Sequence, residues 1–406
     1  MNEMVTPACV GCGSLLQTTD ETLPGYVPQS ALLQPESLCR RCFRIRHYGE
    51  FTPVSVTESD YQAQVARIFD EPGLVLYVVD VFDLSGSLVP NLARFILGSE
   101  VVVVVNKADL LPRDVHLEEM KEWIHTQVQL TGVQVSDVLF LSGRTKQGLD
   151  ALTNHIIKET TRPIYVVGMA NTGKSTLLNA LYEQFEAGKE PYTVSRRPGT
   201  TLAMSQLHVT GPEGPLTFVD TPGLVHGTRV IDRLCADCLA EAVPEDRIRP
   251  RIYQLNPGQT LFLGGMARLD FEAGARQPVL LYVSNRLPVH RSKLERAEAI
   301  WTTHREDILK VPCASCRAAF DQLKPRPVQT KRARERVPEG TIAISGRGRD
   351  LVIPGLGWIT LSGKPFRGRL WLPTWLEPAY RPRLVGELTK RPYHERSYGS
   401  YEGRFS

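Results

Sequence analysis

The scarcities in this 406-residue chain each remove a class of protein. No apolar run approaches the ~20 residues needed to cross a bilayer. The opening residues, Met1 to Val5, lack the basic-then-apolar order of a secretory leader, so a cytoplasmic protein with no membrane partner is expected. Charge of one sign is not in excess. A net charge of +4 is too small for the whole molecule to draw nucleic acid by its field, so any such affinity has to come from local basic clusters, and no DNA partner is expected. No internal repeat is visible, which excludes a solenoid. With 42% hydrophobic and 23% charged residues, the composition is that of an ordinary soluble fold with mass for two or three domains, and disorder is expected only near the ends.

Isolated cysteines are also missing. All eight fall in CxxC pairs: Cys9/Cys12, Cys39/Cys42, Cys235/Cys238 and Cys313/Cys316. In a reducing cytosol paired thiols point to metal before disulfide. The first two pairs lie among turn-forming and basic residues and predict a tetrahedral Zn²⁺ finger over residues 1–50. A redox dithiol is the competing reading, but it needs no second pair. The finger is flanked by Arg40, Arg41, Phe43, Arg44, Arg46, His47 and Tyr48, a basic and aromatic mixture suited to RNA phosphate and unpaired bases, or to a plain solvated face.

The chain is organised around residues 168–176, Gly-Met-Ala-Asn-Thr-Gly-Lys-Ser-Thr. This stretch fits GxxxxGK[ST] and lies between an apolar β-branched run, 164–167, and a helix-forming run, 177–182. Strand, glycine turn and helix together form a phosphate cradle: backbone N–H groups of Gly168, Asn171, Thr172, Gly173 and Thr176 face the anion, Lys174 reaches the β- and γ-phosphates, and the Ser175 hydroxyl meets Mg²⁺.

After a short helical stretch at 61–69, upstream strands are predicted at 74–81 and 101–105, continuous apolar runs typical of strands covered on both faces, with helical patterns between them. The fold class expected is α/β, a doubly wound and mostly parallel sheet. The second run ends in Asn106-Lys107-Ala108-Asp109, an NKxD whose carboxylate can accept from the two N–H donors of guanine that adenine does not offer. A further strand, 138–141, runs into Ser142-Gly143-Arg144, close to the Ser-Ala-Lys loop that contacts the guanine carbonyl in GTPases. Downstream of the phosphate loop come Thr200 and Thr201, either of which could complete Mg²⁺ coordination, and Asp220-Thr221-Pro222-Gly223 at the end of the strand 216–219, where Asp220 would hold Mg²⁺ through water and the Gly223 N–H would sense the γ-phosphate.

The motif order is unusual: the guanine loops precede the phosphate loop. Where termini lie close together, a circular permutation can rebuild the same site. In this order, and in its amino-terminal CxxC pairs, Asp80-Val-Phe-Asp83, Ser85-Gly86-Ser87, Arg247-Ile-Arg249-Pro-Arg251, Leu263-Gly264-Gly265 and Val352-Ile-Pro354-Gly355-Leu-Gly357-Trp358, the chain resembles the circularly permuted GTPases of ribosome assembly, most closely the YqeH family. The resemblance implies a factor that binds and hydrolyses GTP, assists maturation of the small ribosomal subunit, and binds rRNA and ribosomal proteins through its flanking regions. It implies that Asn106, Lys107 and Asp109 read guanine with Ser142 and Gly143, that Lys174 and Ser175 hold phosphate and magnesium, and that Thr201, Asp220 and Gly223 are the switch residues.

Where many GTPases carry a glutamine after this glycine, the chain has Leu224, which cannot orient water, so slow intrinsic turnover is expected. Asn171 offers a substitute: in related GTPases with this loop the asparagine helps hold K⁺ beside the phosphates. The other reading is that Asn171 only braces the loop.

After the nucleotide domain, expected over 51–232, an α+β region is expected over 233–323. It carries the basic Arg247, Arg249 and Arg251, strands at 260–263 and 279–283, a helix at 291–301, and Cys235, Cys238, Cys313 and Cys316, which close a second zinc site or remain reduced thiols. A basic linker (Lys324, Arg326, Lys331, Arg332, Arg334, Arg336), a small β-domain and a flexible tail are expected over 324–406. The alternative of a different class is an RNA-binding scaffold whose nucleotide pocket is a sensor with negligible turnover. A GTPase acting on tRNA is disfavoured, since no residues for base chemistry stand out.

Overall fold

The computed structural model describes residues 9, 15–21, 25–32, 37–40, 43, 71–113, 115–185, 205–221, 223–224, 227–331, 335–346 and 348–385. Cys12, Cys42, Arg41, residues 44–50, the helical stretch 61–69, Thr200, Thr201, Pro222, residues 332–334 and the tail after Lys390 lie outside them.

The apolar runs form a six-stranded sheet from β1 (Leu74–Asp80), β2 (Glu100–Asn106), β3 (Asp137–Phe140), β4 (Ile164–Val167), β5 (Ser205–Gly211) and β6 (Gly214–Asp220). The spatial order is β3-β2-β1-β4-β6-β5. All neighbours run parallel except the edge strand β5, which is antiparallel to β6. Every residue of β1 is buried, because each face of the sheet has its own cover. Val75, Tyr77 and Val79 face a core shared with Met120, Ile124 and Val128 of α1 (Leu117–Leu130). Leu74, Leu76 and Val78 face the other, shared with α2 (Leu149–Ile156) and α3 (Lys174–Phe185). This is the doubly wound sheet that the unbroken β-branched runs predict. It brings the carboxyl ends of β1, β2, β3, β4 and β6 to one edge, where open α/β sheets bind ligands.

The rest of the chain is rich in strand, as expected, but is divided differently. After α4 (Ala236–Ala242) come β7 (Arg251–Leu255), β8 (Gln259–Leu263), β9 (Ala267–Gly274), β10 (Gln277–Tyr282), β11 (Val289–Lys293), α5 (Ala297–Thr303), α6 (Ala314–Arg317), β12 (Leu323–Thr330), β13 (Ile342–Ile344), β14 (Arg349–Ile353), β15 (Gly357–Leu361), β16 (Phe366–Pro373) and β17 (Ala379–Arg381). One sheet has the order β17-β14-β15-β10-β7 and the other β11-β8-β9-β16-β12-β13. Each mixes strands from before and after residue 323, and their inner faces share one core through Leu261, Leu269, Val279, Leu281, Ile359 and Leu370. The expected division at 323/324 is therefore crossed by both sheets. The stretch 324–330 is strand rather than basic linker: its proline residues, Pro325 and Pro327, pair only with β16, while β13 joins from Val328 onward, so the missing N–H groups fall on an open edge. The helix expected over 291–301 begins later, at Ala297, because Arg291–Lys293 pair with β8.

This second unit closes over the first. Tyr282 and Trp358 stack at 4.8 Å, Phe82 lies 6.2 Å from Trp358, and all three belong to the core under α1. Such aromatic contacts add about 0.5–1.5 kcal/mol each beyond burial. Near the amino terminus Cys9, Leu16, Val27 and Cys39 make a small separate core.

Candidate nucleotide-binding site

Three loops converge at the carboxyl edge of the six-stranded sheet, and one side chain ties them. Asn106, at the end of β2 and 2% exposed, donates from Nδ2 to the carbonyls of Thr172 (3.0 Å) and Gly173 (3.3 Å). Its Oδ1 accepts from the N–H groups of Lys107 (2.8 Å) and Gly143 (3.0 Å). A side-chain amide with two donors and an acceptor that takes two bonds is the residue type this junction requires. Lys107 adopts φ 63° and donates from Nζ to Asp80 Oδ2 (2.5 Å) and the Asn171 carbonyl (2.7 Å). The register levels Asp80 with Asn106 across β1 and β2, so this bond clamps the phosphate loop from the other strand.

The loop between β4 and α3 is wound by left-handed residues, Asn171 at φ 64° and Gly173 at φ 89°. A Cβ on Gly173 would stand 2.3 Å from Asn106 Nδ2, so conformation and space both demand glycine. Thr172 is buried and its hydroxyl donates to the Met169 carbonyl (3.0 Å). Lys174 is buried and folds over the loop, donating to the carbonyls of Gly168 and Met169 at 2.9 Å each. Burial pushes its pKa down to about 8, opposed by the Asp220 carboxylate and aided by the Arg229 charge. A desolvated cation in a ring of loop carbonyls is a receptor for an anion. Ser175 is half-buried and Thr176 exposed on the first turn of α3.

Beyond the end of β2, Asp109 pairs with Arg144 at 2.7 Å. Ser142 is buried, and its Oγ accepts the Thr145 N–H at 3.0 Å. On the far side, Gly223 packs where a Cβ would meet Ala170 Cα at 2.8 Å. Leu224 is buried in the core beneath α1, and its carbonyl accepts the Ala170 N–H at 2.9 Å. Its side chain is thus a core residue, and its backbone is a stay for the phosphate loop.

Sequence reasoning missed Arg229. It is 1% exposed, donates to the Ala170 carbonyl (3.2 Å) and grips Asp232 with two nitrogens (2.8 and 3.2 Å). Asp83, 4.0 Å away, has its pKa pushed up to about 7 by burial, against the pull of Arg229. Asp83 stood out in sequence only within Asp80-Val-Phe-Asp83, one of the stretches that carry the family resemblance; Arg229 lies in an aperiodic segment that gave no signal.

A cleft of about 1150 Å³ opens beside Asp109, walled by Arg113, Arg144, Arg247, Arg249 and Arg383. Arg251, expected to be part of this basic group, is instead bound to the carbonyls of Leu287 (2.7 Å), Ser284 (2.6 Å) and Asn285 (2.8 Å).

The described cysteines gather in two places. The Cys39 N–H donates to Cys9 Sγ at 3.1 Å. Cys235, Cys238, Cys313 and Cys316 bring their sulfurs within 4.8 Å of one another.

A family model described as 50S ribosome-binding GTPase matches residues 163–249, and one described as YqeH-like, C-terminal matches 276–384. The YqeH protein of Bacillus subtilis (strain 168) is 32% identical over 381 residues, covering 93% of this chain and 99% of that protein. The chain belongs to the YqeH family of GTPases. Nitric oxide-associated protein 1 of Homo sapiens is 24% identical over 512 residues, 90% of this chain and 72% of that protein. The small ribosomal subunit biogenesis GTPase RsgA of Vibrio cholerae is 30% identical over 160 residues, 36% of this chain and 38% of that one. In this YqeH-family chain the GTPase match begins at β4 and spans the phosphate loop and Gly223, while Asn106 to Asp109 lie upstream of it. Among the described residues no helix is long and apolar enough to cross a membrane.

Proposed function

We propose that this protein is a cytoplasmic, circularly permuted GTPase that hydrolyses GTP to GDP and phosphate. It binds rRNA on the small ribosomal subunit or its precursor and changes that affinity with its nucleotide state. The observation that carries the reading is the Asn106 junction, which welds a guanine-type loop to a phosphate-type loop with an arginine-walled cleft at the base end. Asp109 would exchange Arg144 for the guanine N–H donors, with Ser142 and Gly143 against the base edge. Loop N–H groups from Gly168 to Gly173, and from Ser175 and Thr176, would receive the phosphates, with Lys174 neutralising the charge that grows as the terminal phosphate departs. The donor set fits a hard cation: a Ser175 hydroxyl on the first turn of α3 and an Asp220 carboxylate whose charge is felt at Lys174; Thr201 would complete it. Mg²⁺ held there supplies electrostatic stabilisation of the phosphates.

Leu224 is committed to the core, so no side chain at that position orients water, and slow intrinsic turnover follows. Asn171 braces the loop through its carbonyl, while the residue as a whole is exposed; this favours its amide as a ligand for K⁺. Replacing Na⁺ by K⁺ should raise turnover. Asn171→Gly, which keeps the left-handed backbone, should abolish the rise, and equal rates in the two salts exclude the role.

Support for the ribosomal target comes from the relative named for small-subunit biogenesis and from the free faces of Arg247 and Arg249. The matched GTPase model is named for the 50S particle, so the decisive experiment is co-sedimentation with purified 30S and 50S particles in GTP-analogue and GDP states, with turnover measured alongside. Nucleotide-dependent association with 30S particles and stimulated hydrolysis are expected. Association with 50S alone refutes the target, and tight RNA binding with unchanged, negligible turnover supports the scaffold reading instead. The amino-terminal Cys9, Cys12, Cys39 and Cys42 would form a Zn²⁺ finger over 1–50, followed by the nucleotide domain over 51–232 and one two-sheet unit from 233 to 385.

A further inference from the structure

Four cysteines from two distant segments meet at one point where the nucleotide domain hands over to the two-sheet unit. Cys235 precedes α4 and Cys313 precedes α6. The two share one backbone geometry, φ/ψ −72°/171° and −66°/170°, and each is followed at the third position by its pair mate. The two knuckles are also bonded reciprocally. The Cys235 N–H donates to Cys316 Sγ at 3.1 Å, and the Cys313 N–H donates to Cys238 Sγ at 3.1 Å. Backbone donors aimed at sulfur are what thiolates bound to a cation require, because they spread the surplus negative charge of four such ligands.

The distances discriminate between the two chemistries open to paired cysteines. Zn–S bonds of about 2.3 Å in a tetrahedron separate the sulfurs by about 3.8 Å. Cys235 and Cys313 stand 3.7 Å apart, and all four sulfurs lie within 4.8 Å. A disulfide needs about 2.05 Å and would use the sulfurs two at a time, leaving no reason for the reciprocal pattern.

We propose that Cys235, Cys238, Cys313 and Cys316 hold one structural Zn²⁺, and that this ion anchors the strap of chain that leaves the second switch. Binding forms four Zn–S bonds and releases the four thiol protons to solvent. The strap is legible in the hydrogen bonds. From Gly223 the chain is tied to the phosphate loop by the Leu224 carbonyl and by Arg229, both on Ala170. It is then tied to the second unit by the Val230 N–H on the Pro354 carbonyl, and it ends soon afterwards at Cys235. With that end pinned to Cys313 and Cys316, displacement at Gly223 cannot be absorbed by a loose downstream chain. This consequence rests on the GTP-switch reading above, whereas the metal site does not.

The test is metal content and coordination in the full-length protein. Zinc measured by plasma mass spectrometry should be two per chain in the wild type and one in both Cys9→Ser/Cys39→Ser and Cys235→Ser/Cys313→Ser. After Co²⁺ exchange, the Cys9→Ser/Cys39→Ser variant should keep the intense thiolate-to-cobalt absorption of a tetrahedral four-sulfur site. A folded Cys9→Ser/Cys39→Ser variant with no zinc and no cobalt–thiolate band, or a folded Cys235→Ser/Cys313→Ser variant that keeps the full wild-type zinc count, overturns the proposal. So does thiol titration showing Cys235 and Cys313 oxidised to a disulfide in reduced, zinc-replete protein. If a variant fails to fold, alkylation of the native wild-type protein read by mass spectrometry decides: Cys235, Cys238, Cys313 and Cys316 protected until zinc is chelated support the site, and their free reaction in zinc-replete protein overturns it. Two zinc ions together with nucleotide-independent ribosome association would leave the metal site standing and remove the switch.

Discussion

Replacing Asp109 by asparagine tests the guanine assignment most directly, because the structure fixes both what is gained and what is surrendered on binding. Two charge-assisted hydrogen bonds from guanine to the carboxylate are worth about 1.5–3 kcal/mol each. Against them stands the Arg144 pair, which must open first. The Arg144 side chain is 54% exposed, and an exposed pair of this kind contributes only ~0–1 kcal/mol. The amide of the Asp109→Asn variant would surrender no ion pair and would keep one neutral acceptor, so the net loss is roughly 2–5 kcal/mol, or about 30- to several-thousand-fold in the Kd for GDP. A fluorescent GDP analogue titrated by anisotropy reads this range. Xanthosine diphosphate should recover much of the loss, since its extra carbonyl accepts from the introduced amide. Arg144→Ala should tighten GDP by no more than about fivefold, the value of the exposed pair it removes. Asp109→Asn binding GDP within fivefold of wild type would refute the assignment; Arg144→Ala weakening it more than tenfold would show that Arg144 itself touches the nucleotide.

Three further outcomes are expected. Burial holds the Lys174 pKa down to about 8, and the side chain needs its proton to meet a phosphate; the phosphate raises its pKa, so binding takes up a proton above pH 8. The GDP Kd should then climb toward tenfold per pH unit from 8 to 9 by linkage, with calorimetry in two buffers showing the uptake and Lys174→Arg showing none. Gly173→Ala forces a Cβ against Asn106 at φ 89°; about 2–3 kcal/mol of stability should be lost from left-handed strain and the broken Asn106 bonds, together with nucleotide binding, as read by urea unfolding and GDP titration. Arg229→Ala leaves Asp232 and Asp83 buried without their cation and should cost about 3–5 kcal/mol. Adding Asp232→Ala should cost less than the sum of the two single changes.

The candidate nucleotide site was legible where a motif follows an apolar run that reads as a covered strand. Asn106 after five valines and Lys174 after Val166 and Val167 carry their structural context with them. Cooperation between the motifs was not legible. Nothing in the spacing says that Asn106 bonds the Thr172 carbonyl, or that Lys107 reaches Asp80 and Asn171. The strands expected at 260–263 and 279–283 lie within a few residues of β8 and β10, but a period-two pattern names a strand without naming its partner. The interleaving of β8, β9, β12 and β16 therefore lay beyond it, as did the service of Arg251 to three carbonyls rather than to solvent. Lys324 and Arg326 looked like linker residues because charge and proline dominate the local composition; pairing with β16 overrode both.

The Tyr282–Trp358 stack under Phe82 has a consequence for biosynthesis. The face of the nucleotide sheet that it covers is completed only by residues 358, 384 and 385, close to the end of the described chain. During synthesis every strand of that sheet emerges before Tyr282 and Trp358 do, so the half-built molecule leaves Phe82 without its aromatic cover while the two-sheet unit is still being added. Such a protein cannot be shortened from its carboxyl end module by module. Loss of β17 or the segment after it would be felt first as aggregation of the nucleotide domain, and folding should run to completion only when the final strands arrive to close the whole.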